Sequence, residues 1–477
     1  MNYGDTFQRT IYYHAPYLLK NLIATFYGWN VRRVRSPKAL RETVARLKEE
    51  QRLPAGRMDA IQFERTKVFL VYAGEHSAYW RDLFSASAFS PQQMTSLSEL
   101  SRLPILSKNE ARTQMDRIVS DERHKLTASW SHTSGTTGHG LRFLEAAECF
   151  RRDFAYRVLN VSYSGIAFGD KWAYCAGHPV ANPLRKKPPF WVHDYANNWL
   201  LLSSYHMSEA NLRAYISKLA RFKPDLIAGY PSSVYLLALA NQSMGMPVRP
   251  KCVLTSSETL FENQRIAIEK SFGCKAYSFY ACAERCVCAT QCEEGKFHLQ
   301  NGHSYVELLD MDGNPATPDT DARLVCTGFG NYATPLIRYD LGDTARVSDR
   351  QTCKCRRNGI ILDSILGRSE DYIATPDGRL VGRLDHLFKD SLNVRLAQLE
   401  QSSPSSLVIR VEKTSSYGEH DEAEILREAR NRLGNEIQIT FEYVDHIPRT
   451  SNGKIRFILS KISNRRLFGT GIDHAYD

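Results

Sequence analysis

The 477-residue sequence has no run of 18 apolar residues, so it offers no candidate for a membrane-spanning helix. Residues 1–10 lack the charged-then-apolar layout of a secretory signal, and a cytoplasmic protein is the expectation. No zinc-finger, RRM-type or basic-zipper spacing accompanies the net charge of +10, so nucleic acid is not the expected partner. The Walker frame is missing too, because His139 rather than a lysine follows Gly138. Cysteine is present, but its count of 11 is odd in a chain without an export signal. That excludes a plain disulfide framework and favours reduced thiols with some metal ligation.

What is present is globular: 43% hydrophobic and 11% aromatic residues, in a chain too long for one core, which implies two or three domains. The stretch that organises the rest is Ser131-His132-Thr133-Ser134-Gly135-Thr136-Thr137-Gly138-His139-Gly140, which has no side chain able to build a core. Its glycines let backbone N–H groups turn toward an anion, and its hydroxyls add donors that follow the oxygens. Phosphate is the expected ligand, with an ordinary surface turn as the alternative. The positive charge suits ATP, a coenzyme A-like acceptor, acidic glycan precursors or an anionic membrane surface.

Apolar periodicity predicts helices over 40–53, 65–83 and 146–164, and short strands at 171–174, 225–229, 253–255 and 276–279. Residues 11–35 are apolar as far as Trp29 and then carry Arg32, Arg33 and Arg35. Either an amphipathic membrane-surface helix or a docked helix with a basic exit fits. The tail alternates a strand at 406–411, a helix at 421–433 and a strand at 438–444, the pattern of a small α+β lid.

Several stretches resemble, in order, the motifs of the adenylate-forming superfamily of acyl-CoA synthetases. Thr133-Ser134-Gly135-Thr136-Thr137-Gly138 resembles its phosphate loop, and Ser256-Ser257-Glu258-Thr259-Leu260 its adenine-contacting segment. Tyr280-Ala281-Cys282-Ala283-Glu284 is similar to Y-G-x-T-E with its metal-facing Glu, although Ala281 and Ala283 replace Gly and Thr. Tyr339-Asp340-Leu341-Gly342-Asp343 resembles Y-x-T-G-D, whose Asp takes the ribose hydroxyls. Gly367-Arg368-Ser369-Glu370-Asp371 resembles the G-R-x-D-D hinge, with Glu370 where Asp is usual and Arg368 beside the ribose. Ser451-Asn452-Gly453-Lys454-Ile455-Arg456 resembles the segment that carries the catalytic lysine. Leu103-Pro104-Ile105-Leu106-Ser107-Lys108 is similar to a segment of the phenylacetate-CoA ligase and capsule-biosynthesis (CapK-like) branch.

The resemblance implies an α/β fold, with a large multi-layer N-terminal adenylation domain over 1–369 and a small mobile α+β domain over 370–477 that turns about Glu370. It also implies ATP, Mg2+ and a carboxylic acid, activated with Glu284 and Lys454 as catalytic residues and passed to coenzyme A. Transfer to an amine of a sugar or small metabolite is the runner-up, and a non-catalytic scaffold the third reading. Tyr230 and Ser232 fall near the branch's carboxylate pocket, where turn and cap roles fit as well. Related ligases often carry a C-x(n)-H and C-x-C arrangement before the hinge. Cys292 with His298 and Cys353 with Cys355 supply two such pairs for a structural zinc, with Cys286 and Cys288 as spare candidates.

Overall fold

A computed structural model of the protein describes residues 12–462, apart from 134–140, 178–179, 183, 246, 259, 261, 311, 366–372, 382–383, 389–392, 414, 446, 448–457 and 461. Ser134, Gly135, Thr136, Thr137, Gly138, Thr259, Arg368, Glu370 and Lys454 therefore lie outside the described residues, as does the side chain of Ser232.

Five strands run parallel in the spatial order Trp199–Ser203, Trp172–Ala176, Leu226–Gly229, Cys252–Ser256 and Ala276–Ala281. Leu226–Gly229 and Cys252–Ser256 are buried at every position, because helices cover both faces of the sheet, as a continuous apolar run requires. Glu209–Phe222, Pro231–Ser243 and Glu262–Phe272 pack on one face, through Tyr215, Leu219, Leu237 and Ile268. Pro37–Glu50 and Ala147–Ser162 pack on the other, through Leu40, Leu47, Phe154 and Leu159. Each fully buried side chain of this kind contributes roughly 1.5–3 kcal/mol.

Antiparallel strands widen the sheet to twelve. Trp191–Asp194 closes one edge. Cys288–Gln291, Phe297–Leu299, Ile361–Ile365, Tyr339–Val347, Asp321–Thr327 and Tyr305–Leu309 extend the other. A separate hairpin pairs Ala128–His132 with Arg142–Ala146. Ser131 and His132, read from sequence as part of the loop, belong to this hairpin: Ser131 donates to Glu145 across it at 2.9 Å.

The expected helix over 65–83 is two helices, Ala55–His76 and Ala78–Ala86. Ser77 breaks it with extended backbone and a buried hydroxyl that donates to the carbonyl of Arg117 at 3.0 Å. Tyr17–Arg35 is a helix docked on the edge strand, where Asn21 accepts from the His193 backbone at 2.9 Å and Arg32 donates to the Ala196 carbonyl at 2.9 Å. Its other face leaves Leu18, Leu22, Phe26 and Trp29 exposed. Among the described residues no helix is long and apolar enough to cross a membrane.

The C-terminal part is a four-stranded sheet in the order Gln438–Tyr443, Ser406–Lys413, Val394–Ser403 and Ile458–Ser460, covered by the helix Glu419–Leu433. Leu399, Leu407, Ile409 and Ile425 fill its own core. Arg379 ties it to the large sheet by donating to the carbonyls of Tyr205 at 2.7 Å and Leu433 at 2.8 Å. The fold is thus the expected α/β one, with a large N-terminal part and a small α+β C-terminal part.

Candidate functional site

A cavity of about 1300 Å³ opens at the carboxyl ends of the parallel strands, where open α/β sheets place their ligands. Three local devices aim side chains into it. Ser257 follows Cys252–Ser256 with φ at +74°, a left-handed conformation that only a constrained site holds in a non-glycine residue, and it brings Ser257 and Glu258 to the wall. Ala276–Ala281 ends in a tight turn in which Arg285 also has positive φ, +62°, and this turn presents Glu284. In Tyr339–Val347 the pairing skips residues 341–343, a bulge that swings Leu341 and Asp343 toward the cavity. Gly342 takes φ +73° there, and its N–H is held by Asp340 at 2.9 Å.

These devices bring dispersed residues together. The Tyr280 hydroxyl donates to Asp343 at 2.9 Å, across 63 residues of sequence. Burial and the Asp343 charge push that hydroxyl well up, so it stays a donor. Tyr339 donates to the buried Glu284 at 3.1 Å. Thr133 closes the neck of the phosphate-loop stretch, donating from its N–H to the Leu141 carbonyl at 3.0 Å and accepting the Leu141 N–H at 2.8 Å. Of the sequence-derived candidates, Thr133, Ser257, Glu258, Tyr280, Glu284 and Asp343 line one cavity. Tyr230 does not. It caps the helix Pro231–Ser243, with its hydroxyl beside Gly177.

Sequence reasoning missed the polar network beneath the site. Arg285 binds Glu145 at 2.9 Å and Asp153 at 2.8 Å, and Asp153 faces His303 at 2.7 Å. Burial alone would raise the Asp153 carboxyl, yet the charge of Arg285 and the hydrogen bond from His303 hold it down to about 2. Burial also keeps His303 low and neutral, so its Nε2–H donates to Asp153. Through Ser131 and Glu145 the network joins the phosphate-loop hairpin to the turn that carries Glu284. The one sequence signal was an arginine directly after the motif's Glu.

The sulfurs of Cys292, Cys353 and Cys355 and a ring nitrogen of His298 all lie within 4.8 Å of one another. Cys292 Sγ is 3.7 Å from Cys353 Sγ, and Cys355 Sγ is 3.3 Å from His298 Nε2. Around a tetrahedral zinc with bonds of about 2.3 Å, neighbouring sulfurs stand about 3.8 Å apart, so the cluster has the right dimensions. His298 Nδ1 meets the Asn358 carbonyl at 3.2 Å, the outer contact that orients a ligating imidazole. Cys286 and Cys288 are not in the cluster; Cys286 faces Cys282 instead, at 3.4 Å.

Residues 373–461 match the family model described as the CapK C-terminal domain. Over 459 residues the chain is 25% identical to Protein CapK of Staphylococcus aureus, spanning 95% of this chain and 99% of that one. It is also 25% identical over 324 residues to phenylacetate-coenzyme A ligase of Aromatoleum evansii, spanning 66% of this chain and 71% of that one. The homologues of the chain are thus CapK and phenylacetate-CoA ligases, and its C-terminal part matches the CapK C-terminal domain. A solved structure, 2-hydroxyisobutyryl-CoA ligase in complex with 2-HIB-AMP and CoA, superposes with a TM-score of 0.59. The match covers 88% of this chain and 93% of that one at 20% identity, and it shows the shared fold.

Proposed function

We propose that the protein is an AMP-forming ligase that activates a carboxylic acid with ATP and transfers the acyl group to the thiol of coenzyme A. The convergence of Thr133, Ser257, Glu258, Tyr280, Glu284 and Asp343 on one cavity carries the reading. In the first half-reaction a carboxylate oxygen attacks the α-phosphorus, the bond to the bridging oxygen breaks, and pyrophosphate leaves. In the second, the thiolate attacks the acyl carbon and AMP departs with the bonding pair. Little covalent work falls to the protein; placement and charge neutralisation remain.

Asp343, held by Tyr280, suits the ribose hydroxyls together with Arg368, and Ser257 to Thr259 suit the adenine. Glu284 is buried with one hydroxyl donor, so its remaining oxygen capacity fits a magnesium ion, which when bound neutralises phosphate charge. The phosphate loop 133–138 and Lys454 would bind the same phosphates. The domain split at 370, with rotation about Glu370 between half-reactions, and cytoplasmic placement belong to the same proposal. Zinc at Cys292, His298, Cys353 and Cys355 would staple the loop before Ile361–Ile365 to the hairpin of Cys288–Gln291 and Phe297–Leu299. Transfer to an amine is not favoured, since the ligase relatives are named for coenzyme A.

Pyrophosphate release across a library of acids, with and without coenzyme A, tests the reading. Lys454→Ala should lower the release by roughly 10²-fold while leaving the fold intact. Release that needs an amine and ignores coenzyme A would move the assignment to the amide ligase.

The docked helix gives the enzyme a place of work. Leu18, Leu22 and Phe26 are 75%, 65% and 67% exposed, the helix Tyr17–Arg35 contains no acidic residue, and Arg32 and Arg33 lie in its last turn. An anionic membrane surface matches that pairing of apolar stripe and positive charge. Phe26→Glu should abolish co-sedimentation with phosphatidylglycerol vesicles. A concentration-dependent dimer lost in the same variant would assign the stripe to a second copy.

A further inference from the structure

Away from the strand ends the cavity changes sign. Arg35, the last residue of the helix Tyr17–Arg35, turns inward over three rings, 3.6 Å from the centre of Phe154 and 5.3 Å from those of Phe150 and Trp199. Its Nε and Nη1 are buried without a hydrogen-bond acceptor among the described residues, as are the indole N–H groups of Trp172 and Trp199. Arg157 stands nearby, donating to the Tyr174 hydroxyl at 2.9 Å and lying over Phe279. The carboxylate on this wall, Asp194, is occupied by the backbone N–H groups of Ala196 and Asn197 at 3.0 and 3.3 Å and by the Asn197 amide at 2.6 Å.

The fold forces this arrangement. Gly28 lets the helix descend onto the edge strand, since a Cβ there would lie 2.1 Å from the Asp194 oxygens, and that descent carries Arg35 to the cavity. Burial and the charge of Arg157 push the Arg35 guanidinium down to about 9, so it is still a cation at neutral pH. Ring stacking offsets part of the cost of burying it but offers its N–H groups no acceptor. An anion entering the cavity would supply one.

We propose that this end of the cavity is a second anion subsite. The acid presents one carboxylate at the strand ends beside Ser256 and Ser257, while Arg35 and Arg157 hold a second negative group at its far end. The inference rests on the activation reading above and narrows its substrate to a dicarboxylic acid. Trp172 is level with Leu226 and Cys252 in the sheet register, four residues before Ser256. At about 3.3 Å per residue the two ends are about 13 Å apart along the strands, the span of a medium-chain dicarboxylate. The aromatic walls between them suit its methylenes.

Calorimetric titration of the full-length protein with sebacate and with decanoate, without ATP, tests the subsite. Sebacate should bind the wild type and lose roughly 10- to 100-fold in affinity in both Arg35→Met and Arg157→Gln, while decanoate binds all three alike. With ATP, kcat/KM for pyrophosphate release should fall by the same factor for sebacate alone. Arg35→Met removes an unpaired buried cation and should melt no lower than the wild type; if it fails to fold, Arg157→Gln carries the test. The subsite is overturned if the wild type does not bind sebacate, if the variants bind it as well as the wild type, or if decanoate binding falls in parallel. Arginine-dependent sebacate binding without pyrophosphate release from any acid would sink the activation reading and leave the subsite standing.

Discussion

One end of the cavity is acidic and the other basic, and the two are built differently. Glu258, Glu284 and Asp343 line the first, each delivered by a strand end, turn or bulge inside a short contiguous motif. Arg35 and Arg157 line the second, from two helices that meet only because the sheet brings them together. At the acidic end Asp343 and Glu284 accept from tyrosine hydroxyls; at the basic end Arg35 lies over rings, and Arg157 donates to a tyrosine hydroxyl. On the proposed reading the difference separates chemistry from selection: the acidic end would serve activation, and the basic end would choose the acid.

Removing chemistry without selection should have the largest effect. Glu284→Gln is expected to lower pyrophosphate release by roughly 10²- to 10³-fold, while sebacate binding in the absence of ATP stays at the wild-type value. Loss of both together would show that the two ends are not separable. Next comes the network that positions Glu284. Arg285→Met leaves Glu145 and Asp153 buried without their shared cation, and urea denaturation should show a loss of about 3 kcal/mol or more. Arg285→Lys should recover only part of it, because an ammonium cannot fork between two carboxylates.

The cluster of Cys292, His298, Cys353 and Cys355 should separate stability from both ends of the cavity. A Cys353→Ser and Cys355→Ser double variant is expected to lose one equivalent of zinc by elemental analysis and to melt lower. Its turnover per folded molecule should stay within about threefold of wild type, because Cys353 and Cys355 do not line the cavity. Zinc retained in that variant would reject the ligand set. Smaller still, Asp343→Asn should raise the KM for ATP by roughly tenfold with little change in kcat, since the ribose is held equally in ground and transition states.

The smallest effect is a pH slope. Burial pushes His193 and His206 down to about 4, and it lowers His303 as well. Histidines kept neutral by folding take up protons first in the unfolded chain, so stability should fall as pH drops below about 6.5 and level off near pH 4. Melting temperatures from pH 7.5 to pH 5 should show this fall, with proton uptake on unfolding at pH 5. His206→Asn should flatten the slope, and an unchanged slope would remove His206 from the explanation.

The contrast also explains what could be read from the sequence. The strands at Leu226–Gly229, Cys252–Ser256 and Ala276–Ala281 were legible because residues buried on both faces leave unbroken apolar runs. Glu284 and Asp343 were legible because each lies inside a compact motif, and the four metal-type ligands because their spacing is itself the signal. Ser77 hid its helix break, since a buried serine satisfied by a distant carbonyl has no local signature. Arg35 was read as a basic exit: nothing in the run Arg32, Arg33 and Arg35 says that the third arginine turns inward over Phe154. Arg285 and its partners Glu145 and Asp153 come from three distant stretches and became visible only as distances.

The central claim is that the acid becomes an acyl-adenylate, and the fate of one oxygen atom tests it most directly. The acid, labelled with ¹⁸O in its carboxylate, is incubated with the protein, ATP, magnesium and coenzyme A, and the nucleotides are resolved by mass spectrometry. Attack of the carboxylate on the α-phosphorus predicts AMP carrying one ¹⁸O, together with unlabelled pyrophosphate. Formation of ADP with the label in inorganic phosphate, or AMP free of ¹⁸O, would contradict it.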